Sequence, residues 1–294
     1  MTNSTPAAAA PWPSYHRPAT LDAALELLAE APMTVAAGCT DLFPATGARA
    51  LPGAVLDITA IAALKGIACG PEGVRIGATT TWSEIARADL PPAFDMLREA
   101  AREVGSQQIQ NAATLAGNLC NASPAADGVP CLLALDATVE LVSRAGVRRL
   151  PLGAFISGPR QTLRRPDELV SAIHVPASAL GGRSRFCKLG ARRYLVISIA
   201  MVAARLEVAG ERVARAAIAV GACGPVAVRL SELEAALAGA ALAEIGARVD
   251  PALVAASLSP IDDIRADAGY RRAAAVELVR RALADLAAAQ EVVS

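Results

Sequence analysis

Apolar residues recur three and four positions apart in some windows and at every second position in others, so the chain reads as a series of small β/α units. Leu21, Leu25 and Leu28 share one face of a helix that begins at Thr20 and is stopped by Pro32. Thr34 to Ala37 then predicts a short strand entering a turn at Gly38. Val55 to Ile58 and the alternating Gly73-Val-Arg-Ile-Gly77 predict two more strands, each bounded by Gly or Pro. Thr81-Trp-Ser-Glu84 has the form of a capping box, in which hydroxyl and carboxylate satisfy free amides of a helix reaching Arg87. The next helix places Phe94, Leu97, Ala101 and Val104 on one face and ends at Gly105. From Ser106 to Asp127 the Gly, Asn, Ser and Pro content is too irregular for helix or strand. That predicts a long loop, and loops above ~12 residues in compact domains are usually functional or disordered.

Beyond it, Val139 to Val142, Val147 to Leu152 and Glu168 to Val175 predict strands, the last ended by Pro176. Gly181-Gly182, within Ala177 to Ser184, marks a domain boundary, because the remainder changes character. Two long strands are expected there, Ile197 to Val208 and Ala214 to Val220, and then helices. Asp250-Pro251 starts one of these, and Val276, Val279, Leu283 and Leu286 form the apolar stripe of the last.

The 54% hydrophobic content owes much to alanine, and the longest apolar stretches fall short of the ~18 residues of a spanning helix, so no membrane span is expected. Lys plus Arg equals Asp plus Glu at 28 each, which offers nucleic acid no electrostatic footprint. The segment 1–13 lacks Lys or Arg ahead of its alanine run, and Pro11 and Pro13 break that run, so it predicts a loose tail instead of a secretory signal. Cysteines at 39, 69, 120, 131, 187 and 223 include no Cys-x-x-Cys pair, which predicts thiols in a reducing cytoplasm and no metal site.

Two segments have chemistry to offer. In Ala37-Gly38-Cys39-Thr40-Asp41-Leu42 a strand runs into a glycine turn, where successive amides and a Thr hydroxyl can converge on an anion. The same pattern also occurs in turns that bind nothing. Thr114 to Asp127 is more informative, since its small residues let backbone approach a ligand and its Asn and Ser side chains add donors. Neither segment holds Lys or Arg, so a diphosphate there is held by amides and hydroxyls. A carboxylate ~4 Å from a phosphate charge costs about 4 kcal/mol at an effective dielectric of 20, which turns Asp41 and Asp127 toward ribose hydroxyls or loop amides. No His/Asp/Ser or Cys/His constellation stands out; His16, His174, Trp12 and Trp82 read as structural.

Taken with Gly158-Pro-Arg-Gln-Thr162, Asp167 to Pro176, Lys188-Leu-Gly-Ala-Arg-Arg193 and Asp262-Asp-Ile-Arg265, these two segments resemble the flavoprotein (medium) subunits of molybdenum hydroxylases, the xanthine dehydrogenase and carbon monoxide dehydrogenase family. The resemblance implies an α+β fold of the vanillyl-alcohol-oxidase/PCMH type. Two α/β subdomains, 14–59 and 60–180, would clasp FAD, and a C-terminal α+β domain with an antiparallel sheet would span 181–294. It implies FAD contacts from Ala36, Ala37, Gly38, Cys39, Thr40, Asp41 and Leu42, and from Thr114, Ala116, Gly117, Asn118, Asn121 and Ser123. Asp127 would reach the nucleotide portion, and Val170 and Lys188 would add flavin contacts.

Two positions depart from the family pattern. Cys39 stands where many relatives have Gly, and Ala116 replaces the first Gly of Gly-Gly-Asn; either costs roughly 1–2 kcal/mol if its backbone needs positive φ. No cysteine-rich cluster insertion interrupts the chain after Ser123. The implied partners are a small subunit with two 2Fe-2S clusters and a large subunit with the molybdenum cofactor, in a cytoplasmic dimer of heterotrimers. NAD, oxygen or a quinone would accept the electrons, with Gly190 to Val196, including Arg192, Arg193 and Tyr194, as the gate. Two other classes compete: a self-sufficient flavin oxidoreductase and a scaffold that has lost its cofactor.

Overall fold

A computed structural model of the chain describes residues 14–47, 51 and 53–291; the tail expected over 1–13 lies outside them. Short strands β1 (Tyr15–His16), β2 (Thr34–Ala36) and β3 (Val55–Asp57) form a parallel sheet in the order β1-β3-β2. Parallel neighbours need crossovers. One is α1 (Leu21–Glu30), opened by Thr20 Oγ1 accepting from Ala23 N, which buries Ala24, Leu25 and Leu28 against Leu56, Ile58, Ile61 and Leu64. The other includes the one-turn helix α2 (Leu42–Ala45).

The second sheet is antiparallel, with order β4-β5-β10-β6-β7: β4 (Ile67–Gly70), β5 (Gly73–Gly77), β6 (Thr138–Ser143), β7 (Gly146–Pro151) and β10 (Leu169–Pro176). A separate hairpin, β8 (Ile156–Gly158) with β9 (Gln161–Thr162), precedes β10. Between β5 and β6 lie α3 (Trp82–Arg87), α4 (Asp95–Glu103), α5 (Gln107–Ala112), α6 (Leu115–Asn121) and α7 (Gly128–Ala134), and α8 (Leu152–Phe155) follows β7. The capping box of α3 forms as expected, Glu84 N donating to Thr81 Oγ1 at 3.3 Å and Thr81 N to Glu84 Oε2 at 2.6 Å.

The expected loop from Ser106 to Asp127 is corrected: most of it is helical. Both helices are shorter than two turns, so no apolar period accumulates, and each is set by a side-chain cap and by packing. Ser106 Oγ accepts from Ile109 N, Thr114 Oγ1 accepts from Gly117 N, and Leu115, Ala116 and Leu119 are buried.

The third sheet, β11 (Arg183–Leu189), β12 (Ala200–Ala209), β13 (Arg212–Gly221) and β14 (Val228–Arg229), is antiparallel in that order. It is followed by α9 (Ser231–Leu237), α10 (Pro251–Ala256) and α11 (Ala268–Glu291). Residues Ala200 to Leu206 are all buried because this sheet is covered on both faces. Met201 and Ala203 join the core of the second sheet, and Val202, Ala204 and Leu206 pack with Val276, Val279, Leu283 and Leu286 of α11. No helix among the described residues is long and apolar enough to cross a membrane.

Arg271 of α11 is buried and ties three segments together. Its Nη1 donates to Ile199 O at 2.6 Å and Ala222 O at 3.0 Å, and its Nη2 to Asp263 Oδ1 at 2.7 Å. The amide of Arg265, then the guanidinium groups of Arg265 and Arg271, hold the Asp263 carboxyl down to about 2. A carboxyl depressed in the folded state adds stability above its unfolded value and loses it as pH falls through the folded one. Urea melts are therefore expected to show stability declining from about pH 4 to about pH 2, with a shallower decline in Asp263→Asn. Equal slopes for the two proteins would contradict this.

Candidate functional site

At the end of β2 the chain turns through Gly38 and Cys39 before α2 begins at Leu42. Opposite it, α5 ends and Thr114 opens α6. The two segments meet at Gly38, where a Cβ would lie 2.0 Å from Ala112 O and 2.8 Å from Ala113 Cα. Glycine is required here for space, since only a bare Cα lets one backbone rest on the other. Cys39 has φ of 59°, so the departure from glycine falls on a left-handed residue and costs roughly 1–2 kcal/mol. Its thiol donates to Ala37 O at 3.4 Å, and burial pushes its pKa up. Ala116, the second departure, is an ordinary helical residue and carries no such strain. Gly117 is also helical, with no positive φ; a Cβ there would press on Thr114 Oγ1 at 2.8 Å and disturb the cap of α6.

Between the segments opens a cleft of about 1000 Å³. Of the residues singled out from the sequence, Ala37, Gly38, Cys39, Thr40, Asp41, Leu42, Thr114, Ala116, Gly117, Asn118, Asn121 and Val170 line it. Met33, Val35, Ile58, Ala78, Trp82 and Ile109 give it apolar walls. Two features fit a dinucleotide. The main-chain amides of Gly38, Cys39, Thr40 and Asp41 donate no hydrogen bond among the described residues; 38–40 are half-buried and Asp41 is exposed, so these donors are open to an anion. Asn118 Oδ1 is buried without a partner.

Two charged cleft residues were missed from sequence. Arg160 and Arg164, on the β8–β9 hairpin and just after it, line the cleft and give it the positive charge that the two segments lack. Gly158-Pro-Arg-Gln-Thr162 was legible as a motif, but nothing local to it shows that it folds over α6.

Four singled-out residues stand outside the lining. Ala36 is buried in β2, its carbonyl accepting from Ile58 N at 3.0 Å. Ser123 Oγ accepts from Ala125 N at 3.3 Å in the turn after α6. Asp127 and Lys188 find each other: Lys188 Nζ donates to Asp127 Oδ2 at 2.8 Å, and Ser198 Oγ donates to Oδ1 at 3.0 Å. Burial raises the pKa of Asp127 against the pull of Lys188. The pair joins the start of α7 to β11, and Lys188 borders a smaller cavity of about 310 Å³ with Glu103, Arg192 and Arg193. The histidines form no catalytic group: His174 Nε2 lies 2.9 Å from Glu140 Oε2, and His16 Nε2 3.1 Å from Ser14 Oγ.

Two glycine-bearing segments meeting beside a cleft with apolar walls, carried on a parallel and an antiparallel sheet, fit a dinucleotide-binding protein of the α+β class. Residues 8–178 match the family model described as the FAD binding domain in molybdopterin dehydrogenase, and residues 185–286 match the CO dehydrogenase flavoprotein C-terminal domain. The chain belongs to this family: it is an FAD-binding flavoprotein subunit of the molybdenum hydroxylases, an oxidoreductase component.

It is 30% identical over 277 residues to the glyceraldehyde dehydrogenase medium chain of Sulfolobus acidocaldarius, covering 93% of this chain and 98% of the relative. Its structure is similar to carbon monoxide dehydrogenase from Hydrogenophaga pseudoflava lacking the Mo-pyranopterin moiety of the molybdenum cofactor. The TM-score is 0.86 at 30% identity, over 96% of this chain and 99% of that one. Quinoline 2-oxidoreductase from Pseudomonas putida 86 superposes with a TM-score of 0.84 at 25% identity, over 96% and 99% of the two chains.

Proposed function

We propose that this chain carries FAD as the electron-transfer component between a small iron–sulfur subunit and an external acceptor, in a cytoplasmic complex that also holds a large molybdenum subunit. The flavin, when bound, supplies the redox chemistry through its own ring, so the polypeptide needs only to bind, orient and tune it. The observation that carries this reading is the cleft lining. Among the described residues it includes no His, Glu or Lys; its acid–base candidates are Asp41 and the thiols of Cys39 and Cys120, both pushed up by burial, so an acid–base pair for an organic substrate does not assemble there.

The amides from Gly38 to Asp41 would hold the diphosphate, Thr40 would add its hydroxyl, and Thr114 to Asn118 would close the opposite wall. Trp82, Ile58 and Val170 would exclude water from the apolar parts of the cofactor. On the same reading 14–59 and 60–180 are the two FAD-binding subdomains and 181–294 the third domain. The complex would be a dimer of heterotrimers passing electrons to NAD, oxygen or a quinone. The segment Gly190 to Val196 would control access.

The test uses the flavin-loaded chain in anaerobic absorbance titrations. Aldehydes and N-heterocycles alone should leave the flavin oxidised, and adding the reduced iron–sulfur subunit of the proposed complex should bleach it. Direct bleaching by the small organic compound would make the protein a self-sufficient flavin oxidoreductase.

A further inference from the structure

We infer that the smaller cavity, beside the 190–196 segment, binds a pyridine dinucleotide such as NAD+, with Arg192 and Arg193 supplying the charge for its phosphates; this rests on the reading that flavin in the larger cleft passes its electrons to an external acceptor. The cavity measures about 310 Å³, and its charged lining residues are Glu103, Lys188, Arg192 and Arg193. It adjoins the cofactor cleft at two places. Glu103 lines the cavity and its chain neighbour Val104 lines the cleft. Asp127, bonded to Lys188, is followed by Gly128, where a Cβ would lie 3.1 Å from Oδ1 of the cleft residue Asn118.

The charge of Lys188 is neutralised by Asp127, but the two arginines pair with no carboxylate among the described residues. Arg192 Nε donates to Leu195 O at 3.1 Å and Nη2 donates to the same oxygen, which holds the guanidinium in place and leaves Nη1 free. Arg193 Cζ lies 5.2 Å from the centre of the Tyr194 ring, and none of its nitrogens donates to another residue among those described. Glu103 is half-buried; its carbonyl accepts from Lys188 Nζ at 3.5 Å, while its carboxylate accepts from nothing among the described residues. Free guanidinium donors and a free carboxylate around one cavity suit a ligand that carries anionic oxygens and hydrogen-bond donors together. That combination separates the candidate acceptors. Oxygen and a simple quinone offer neither charge nor donor, whereas NAD+ has a diphosphate, ribose hydroxyls and a carboxamide. Used as the acceptor, NAD+ would gain a hydride from the reduced, singly protonated flavin, which leaves oxidised flavin and NADH.

The experiment is isothermal titration of NAD+ and of decylubiquinone into the oxidised, flavin-loaded full chain, at low and high salt, for wild type, Arg192→Gln, Arg193→Gln and Arg144→Gln. The last removes an equal charge from the turn between β6 and β7, outside the cavity. Wild type is expected to bind NAD+, and each of Arg192→Gln and Arg193→Gln to weaken it on the order of tenfold at low salt. The gap should narrow at high salt, where exposed charges are screened. Arg144→Gln should bind NAD+ as wild type does. Equal weakening in Arg144→Gln would reduce the effect to overall charge and overturn the inference. So would wild-type NAD+ affinity in both cavity variants, or a wild type that binds the quinone and not NAD+, and in each case the electron-transfer reading still stands. Flavin that the reduced iron–sulfur subunit fails to bleach would overturn that reading and the inference together.

Discussion

Alanine at Gly38 is expected to lower FAD affinity by about tenfold to a hundredfold while leaving the chain folded. The added Cβ would lie 2.0 Å from Ala112 O and 2.6 Å from Ala112 C, both main-chain atoms that no rotamer change can move aside. Relief requires the 38–41 turn and the end of α5 to separate, at an overpacking cost of about 1–3 kcal/mol. That separation acts directly on the amides that would hold the diphosphate. Isothermal titration with FAD measures the affinity, and a thermal melt should show a loss of only a few degrees. Wild-type FAD affinity in Gly38→Ala would mean that the contact between the two segments does not shape the site.

The second large effect concerns stability. Asp127→Ala is expected to destabilise the fold by about 3–5 kcal/mol, because it leaves Lys188 buried without its anion. Both side chains are at most 9% exposed, so water offers the ammonium little relief. The double variant Asp127→Leu/Lys188→Met should return most of that stability, since it removes both charges. It should also keep FAD affinity near wild type, because neither residue lines the cleft. Chemical denaturation and FAD titration of the single and double variants check both points. A double variant that is stable yet loses FAD would restore the cofactor contacts that the family resemblance implies for Asp127 and Lys188.

What could be read from the sequence was whatever local spacing determines. Helix α1 and the stripe of α11 repeat over enough turns to declare a face, and the caps at Thr81 and Asp250 are short-range chemistry. The sites of both glycine-bearing segments were legible for the same reason. Helices α5 and α6 were not, because six and seven residues carry too little period. Strand β4 was missed because three of its four residues are exposed at a sheet edge, which leaves no alternation. The remaining gaps are non-local. Arg160 meets Asn121 across 39 positions, and Lys188 meets Asp127 across 61, separations at which no pattern in the chain announces a contact. Glycine is needed at position 38 because of the approach of Ala112, since its φ is not left-handed, and that approach is non-local too.

Hydrogen–deuterium exchange of the deflavinated chain, read at the amides of residues 38–41, bears most directly on the claim that the main chain holds the diphosphate. These amides should exchange fast alone and with riboflavin, and become strongly protected with FAD. Equal protection by riboflavin, or none with FAD, would place the diphosphate elsewhere.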